Sequence, residues 1–130
     1  MKLVIIESPF KGNNYESLER NKLYLRACIR DCIVRGESPY ASHRMLTDAL
    51  DDTDSEERRL GIEAGLAWRN VTKPVHSGKG DPLGYDSVHH IFYVDLGWSS
   101  GMTAAKELYD KEEIPYEERR LAADDPFWGS

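Results

Sequence analysis

The chain predicts a three-layer α/β/α sandwich on a mostly parallel sheet of four to five strands. Residues 3–6 and 91–94 are short, unbroken apolar runs of the kind found in strands covered on both faces. Segments with helical spacing separate the strand-like runs, so the chain reads β-α-β-α-β-α-β, the alternation that builds parallel sheets through right-handed crossovers. The run at 91–95 stops at Asp95 and passes through the small-residue turn Gly97-Trp98-Ser99-Ser100-Gly101 into a helix, which sets backbone N–H groups at a strand's carboxyl end.

The first strand, 3–6, ends at Glu7-Ser8-Pro9-Phe10, where Pro9 stops the ladder. A turn-rich loop, 11–15, leads to a helix over about 17–35. Its Leu25, Cys28, Ile29, Cys32 and Ile33 form an apolar stripe, and Gly36 provides the stop. A weak second strand covers 38–42, followed by His43 and Arg44. A second helix runs from about 55 to 68 after an Asp54/Glu57 capping-box spacing, with Leu60, Ala64, Ala67 and Trp68 facing the core. Gly61 and Gly65 each cost that helix roughly 1 kcal/mol in propensity, so close backbone packing or a ligand should compensate.

Residues 69–90 form an irregular insertion, long against the usual connection of about 4–6 residues. A third helix spans 100–111 with Met102, Ala105, Leu108 and Tyr109 inward. The last strand, 116–121, is too charged to be central. One domain, 1–121, is therefore expected, and 122–130 form a surface tail whose Phe127 and Trp128 are able to dock on the body or on a second subunit.

A chain of 130 residues with net charge −6 and no Lys/Arg run is a poor partner for duplex nucleic acid. No stretch reaches the ~20 apolar residues of a membrane span. The apolar run at the N-terminus is too short for a signal peptide, so a cytoplasmic location is expected, with Cys28 and Cys32 as reduced core thiols. His76, His89 and His90 match no zinc spacing, and no metal or cofactor is expected. The chain lacks the phosphate-loop, dinucleotide and hydrolase-elbow motifs. A four-stranded sheet with open edges and a Trp128-bearing tail suggests a homodimer.

In an open parallel sheet, ligands bind outside the strands' carboxyl ends. Those ends carry Ser8 and Phe10, Ser42, His43 and Arg44, and the stretch with Asp95, Ser99, Ser100, Gly101 and Met102. Ser99, Ser100 and Gly101 suit a phosphate, although Ser99 or Ser100 equally suits a helix cap. Phe10 and Tyr15 are candidates to stack on a base. His43 is an acid/base or donor candidate with an ordinary pKa of about 6.5. Arg44 suits a phosphate or a nearby aspartate. Glu63 is the nominated catalytic carboxylate.

The segments Ser8-Pro9-Phe10, Arg35-Gly36-Glu37-Ser38-Pro39-Tyr40-Ala41-Ser42-His43, Gly61-Ile62-Glu63-Ala64-Gly65-Leu66-Ala67-Trp68 and Asp95-Leu96-Gly97-Trp98-Ser99-Ser100-Gly101-Met102, with Tyr24-Leu25-Arg26-Ala27-Cys28, resemble an uncharacterised family common in phages and prophages. That family is similar in layout to nucleoside 2-deoxyribosyltransferases and the wider Rossmann-like nucleotide-binding group. The resemblance implies a small-molecule binding protein for a nucleotide, nucleoside or ADP-ribose-like ligand, with sequestration or sensing of a host nucleotide signal as its role. It also implies two alternatives. One is an enzyme of N-glycosidic bonds, a deoxyribosyltransferase or nucleotide N-hydrolase, using Glu63 and His43. The other is a protein–protein inhibitor of a host factor. The transferases place their nucleophilic glutamate one helical turn past the small-residue corner, and this chain has Ala105 there.

Overall fold

The computed structural model describes residues 1–51, 53–69 and 88–129. The strands are β1 (Lys2–Glu7), β2 (Glu37–Tyr40), β3 (His89–Tyr93) and β4 (Tyr116–Arg119), and the helices are α1 (Tyr15–Val34), α2 (Ser42–Ala49), α3 (Ser55–Ala67) and α4 (Ser100–Lys111). All strand pairs are parallel, in the order β2-β1-β3-β4. The chain leaves β1 towards β2 on one side and continues through β3 to β4 on the other. The order therefore reverses between β1 and β3, where a crevice opens in a sheet of this kind. The expected three-layer, Rossmann-like α/β architecture is the one observed.

Alternation along the strands divides the core. Val4, Ile6, Ile91 and Tyr93 pack under Tyr24, Leu25, Cys28 and Cys32 of α1. Phe92 and Val94 pack on the other face under Met102, Ala105 and Tyr109 of α4. Cys28 and Cys32 are buried and unlinked, as expected. Ile33, expected inside, is 51% exposed, and Tyr24 and Asn21 are buried instead, so the inward stripe of α1 lies further round the helix than the aliphatic residues indicate. Gly36 has φ +85°, the left-handed conformation that lets the chain turn directly from α1 into β2.

Three local features differ from the sequence reading. The second strand is shorter, and Ser42 to Ala49 form α2, a helix that starts at Ala41 with no side-chain cap and so gives no start signal. Helix α3 begins at Asp54, which accepts from the N–H groups of Glu56 and Glu57, while Glu57 bonds the N–H of Asp51 and leaves the capping box open. The apolar stripe of α3 is turned the other way: it buries no residue fully, Leu60 is 45% exposed and Trp68 45%. The side without side chains is the packed one. A Cβ on Gly61 would lie 3.1 Å from Leu50 Cδ1, and one on Gly65 would lie 3.2 Å from Ser42 Oγ. Close approach of α2 is what offsets the two glycines.

Most of the irregular insertion, residues 70–87 with His76, lies outside the described residues; at its end His89 and His90 belong to β3. Strand β4 lies at an edge, as its charge predicts. The tail docks through a 3-10 turn, Pro126–Gly129, that buries Phe127 against Tyr24 at 5.3 Å between ring centroids, with the Arg20 guanidinium 5.0 Å from its ring. Among the described residues, no helix is long and apolar enough to cross a membrane.

Candidate functional site

A cleft of about 1000 Å³ opens at the carboxyl ends of β1 and β3, between the N-termini of α1 and α4 and the α2–α3 pair. Its floor includes Glu7 and Ser8 from the end of β1. One wall is Ser99, Ser100, Gly101, Met102 and Ala105, the opposite wall is Ser42, His43 and Leu46 of α2 with Gly61 and Gly65 of α3, and Tyr15 stands on the rim.

The α4 corner is open. Ser99 is the N-cap and its Oγ accepts from the Met102 N–H at 3.2 Å, so the capping reading of Ser99 holds while the residue also borders the cleft. In the first turn of a helix the N–H groups have no intrahelical acceptor. With Met102 satisfied by the cap, those of Ser100 and Gly101 are left to face the space beyond. A Cβ on Gly101 would meet only Ser99 Oγ, at 3.9 Å. The α1 end has a closed capping box between Asn14 and Ser17, and Lys11 and Lys22 line the same side of the cleft. Two helix N-termini and these lysines bring positive charge to this side of a cleft that Glu7, Asp48 and Glu57 also line.

Ser8 is buried, and its Oγ is hydrogen-bonded to His43 Nε2 at 3.1 Å. Burial lowers the His43 pKa to about 4, so the ring is neutral near pH 7, unlike the ordinary histidine expected from sequence. The Phe10 ring is 8% exposed, set edge-on to His43 at 5.8 Å, with the Arg44 guanidinium 5.7 Å from its centroid. Phe10 lines the cleft and braces His43, and the exposed Tyr15 offers a second aromatic face on the rim.

Three candidates take other roles. Asp95 does not line the cleft. It accepts from the Tyr24 hydroxyl at 2.6 Å and the Leu121 N–H at 3.0 Å, tying α1 and the segment just past β4 to the end of β3. Arg44 is exposed outside the lining and ion-paired with Asp48 at 3.6 Å. Glu63 also lies outside the cleft, exposed and bonded to Arg59 Nη1 at 2.6 Å. The glycine side of α3 packs inward, which points Glu63 away.

Sequence reasoning missed Glu7. This last residue of β1 lines the cleft, and its carboxylate interacts with Tyr109, two turns into α4. Burial pushes its pKa up to about 7, with Tyr109 opposing part of the shift. On the far side of Tyr109 lies His90, ring centroids 4.3 Å apart. The available signal was a carboxylate ending an apolar strand. Its burial depends on α4, about a hundred residues away in sequence. Among the described residues, no group of three or more His, Cys, Asp or Glu is placed to hold a metal ion.

A family profile described as Domain of unknown function (DUF7768) matches residues 2–80. The match takes in β1, α1, β2, α2 and α3, and with them the floor and the α2–α3 wall of the cleft. No curated protein and no solved structure matches the chain.

Proposed function

The chain belongs to the DUF7768 family, and for this member we propose the binding of a nucleotide, nucleoside or ADP-ribose-like small molecule in the cleft between β1 and β3. The observation that carries the reading is the open α4 corner. The N–H groups of Ser100 and Gly101 face a cleft that is large enough for a nucleotide and placed where the strand order reverses. A phosphate sits on that corner, the base lies against Tyr15, and the sugar spans the floor. Titration calorimetry against nucleoside mono-, di- and triphosphates, ADP-ribose and cyclic dinucleotides gives saturable heat with at least one of them. Heats at the buffer level for the whole panel end the proposal.

A second reading, cleavage at an N-glycosidic bond, is favoured by Glu7. A carboxylate on the floor is the group such chemistry needs to support positive charge at the anomeric carbon as the bond to the base breaks and water adds. Free base released from a nucleotide, and lost in Glu7→Gln, supports it. Intact nucleotide after prolonged incubation removes it.

A further inference from the structure

We propose that Glu7 is the residue that reads the sugar of the bound nucleotide, selecting ribose over 2′-deoxyribose by accepting hydrogen bonds from the 2′- and 3′-hydroxyls. The inference rests on the binding reading above and names the ligand class within it.

Helix α4 presents Ser100 and Gly101 to the cleft, then Ala105, and Tyr109 interacts with Glu7 one turn beyond. From Gly101 to Ala105 the helix advances roughly 6 Å, at about 1.5 Å per residue. That advance is comparable to the span from a 5′-phosphate to the far edge of its ribose. A phosphate on the Ser100–Gly101 corner therefore brings the sugar over Ala105. Ala105 lines the cleft with no more than a methyl group, and Glu7 lines it as well.

Glu7 has capacity to spare. A carboxylate offers about four lone-pair positions, and the Tyr109 hydroxyl beside it engages at most one of them. An adjacent pair of hydroxyls matches the two carboxylate oxygens, whereas a 2′-deoxyribose offers one donor fewer. A hydrogen bond to a charged acceptor in a partly dry site contributes more than one between neutral groups.

The surroundings make the contact sensitive to pH. Burial brings the carboxyl of Glu7 to about pKa 7. Tyr109 is pushed well above its usual range, by burial first and by Glu7 second. His43 and His90 are both held near pKa 4 by burial. Glu57 and Arg58 of α3 and Asp48 of α2 share the cleft, with Lys11 and Lys22 on its α1 side. Arg69 acts on Tyr109 from behind. Ionised Glu7 accepts both hydroxyls. Protonated Glu7 keeps one acceptor oxygen and gains a donor, so ribose selection grows as the pH rises through about 7.

The test is calorimetric titration of the whole chain with adenosine 5′-monophosphate and with 2′-deoxyadenosine 5′-monophosphate, at pH 6 and pH 8. The ribonucleotide is expected to bind about tenfold tighter at pH 8, the loss of one charge-assisted hydrogen bond, and by a smaller factor at pH 6. In Glu7→Gln the ratio falls to about twofold or less and no longer varies with pH. If both nucleotides bind the unaltered chain equally at pH 8, the role of Glu7 is overturned and the binding site stands. If neither binds, and the wider panel is silent too, both fall. The wild-type ratio and its pH profile decide the matter even if the variant folds poorly.

Discussion

Arg119 and Glu37 form a two-pronged ion pair, Nη1 to Oε1 at 2.7 Å and Nη2 to Oε2 at 3.0 Å, with each side chain only 8% exposed. The pair joins the two edge strands, β4 and β2. Arg119 Nη1 also donates to the Tyr93 hydroxyl at 3.2 Å, and Tyr93 donates to Asp31 at 2.6 Å. A buried pair of this kind contributes modestly as a whole, but removing one partner strands the other charge.

Arg119→Met is therefore expected to lower unfolding free energy by about 3–5 kcal/mol, measured by urea denaturation, and Arg119→Met with Glu37→Leu to recover most of the loss. Arg119 holds the Glu37 carboxyl below the usual carboxylate range. Its stabilisation is thus present above the unfolded-state pKa and is lost as pH falls through the lower folded value.

His90 carries an acid-dependent term of the opposite cause. Burial lowers its pKa from 6.5 to about 4, so between those values the unfolded chain binds a proton that the native chain refuses. Stability from this group falls on acidification from pH 6.5 to 4, by on the order of 2–3 kcal/mol. His43 acts in the same direction. His90→Phe should flatten the slope of melting temperature against pH in that window. An unchanged slope contradicts the assignment.

Glu7 works against the histidines. With its folded pKa near 7 against an ordinary 4.5, the native state holds a proton that the unfolded state has lost, and stability declines as pH rises from 4.5 to 7. Glu7→Gln is expected to stabilise the protein at pH 8 by ~1–3 kcal/mol while changing little at pH 4.5, read by thermal melts at the two values. The sugar contact proposed for Glu7 is the gain set against that cost.

The α4 corner is tested by Gly101→Asp. Space for the side chain exists, since only Ser99 Oγ lies within 4 Å of its Cβ. Melting temperature should drop by no more than a few degrees, as expected for ~1 kcal/mol in a domain this size. Any nucleotide affinity should fall at least tenfold, because a fixed carboxylate takes the place of the phosphate. Affinity unchanged by the substitution places the phosphate elsewhere.

Gly61 and Gly65 should separate. Gly61→Ala meets the flexible end of Leu50 at 3.1 Å, and the helix gains up to about 1 kcal/mol of propensity. Gly65→Leu drives a side chain into Ser42 and Leu46, parts α3 from α2, and is expected to cost ~1–3 kcal/mol. Chemical denaturation of the two variants distinguishes them.

Strand runs, the cap at Ser99 and the turn at Gly36 are local features, and the sequence displays them directly. Helix α2 was illegible because Ala41 offers no capping oxygen. The orientation of α3 was misread because Leu60, Ala64 and Trp68 imitate a buried stripe, whereas the contact that matters is made by two glycines and α2. Asp95 looked like a ligand group because its partners, Tyr24 and Leu121, are 71 and 26 residues distant. Ser8, Ser42, Ser100 and Gly101 were legible as cleft residues from strand-end position alone. Glu7 required knowing which helix closes over it.

The two outermost strands also decide how copies of this molecule can meet. On one flank Pro39 lacks an amide hydrogen, and on the other Glu117 and Glu118 are exposed and carry like charge. Neither flank offers a template onto which another polypeptide can zip. Fibrillar growth from the native state is thereby discouraged at both rims.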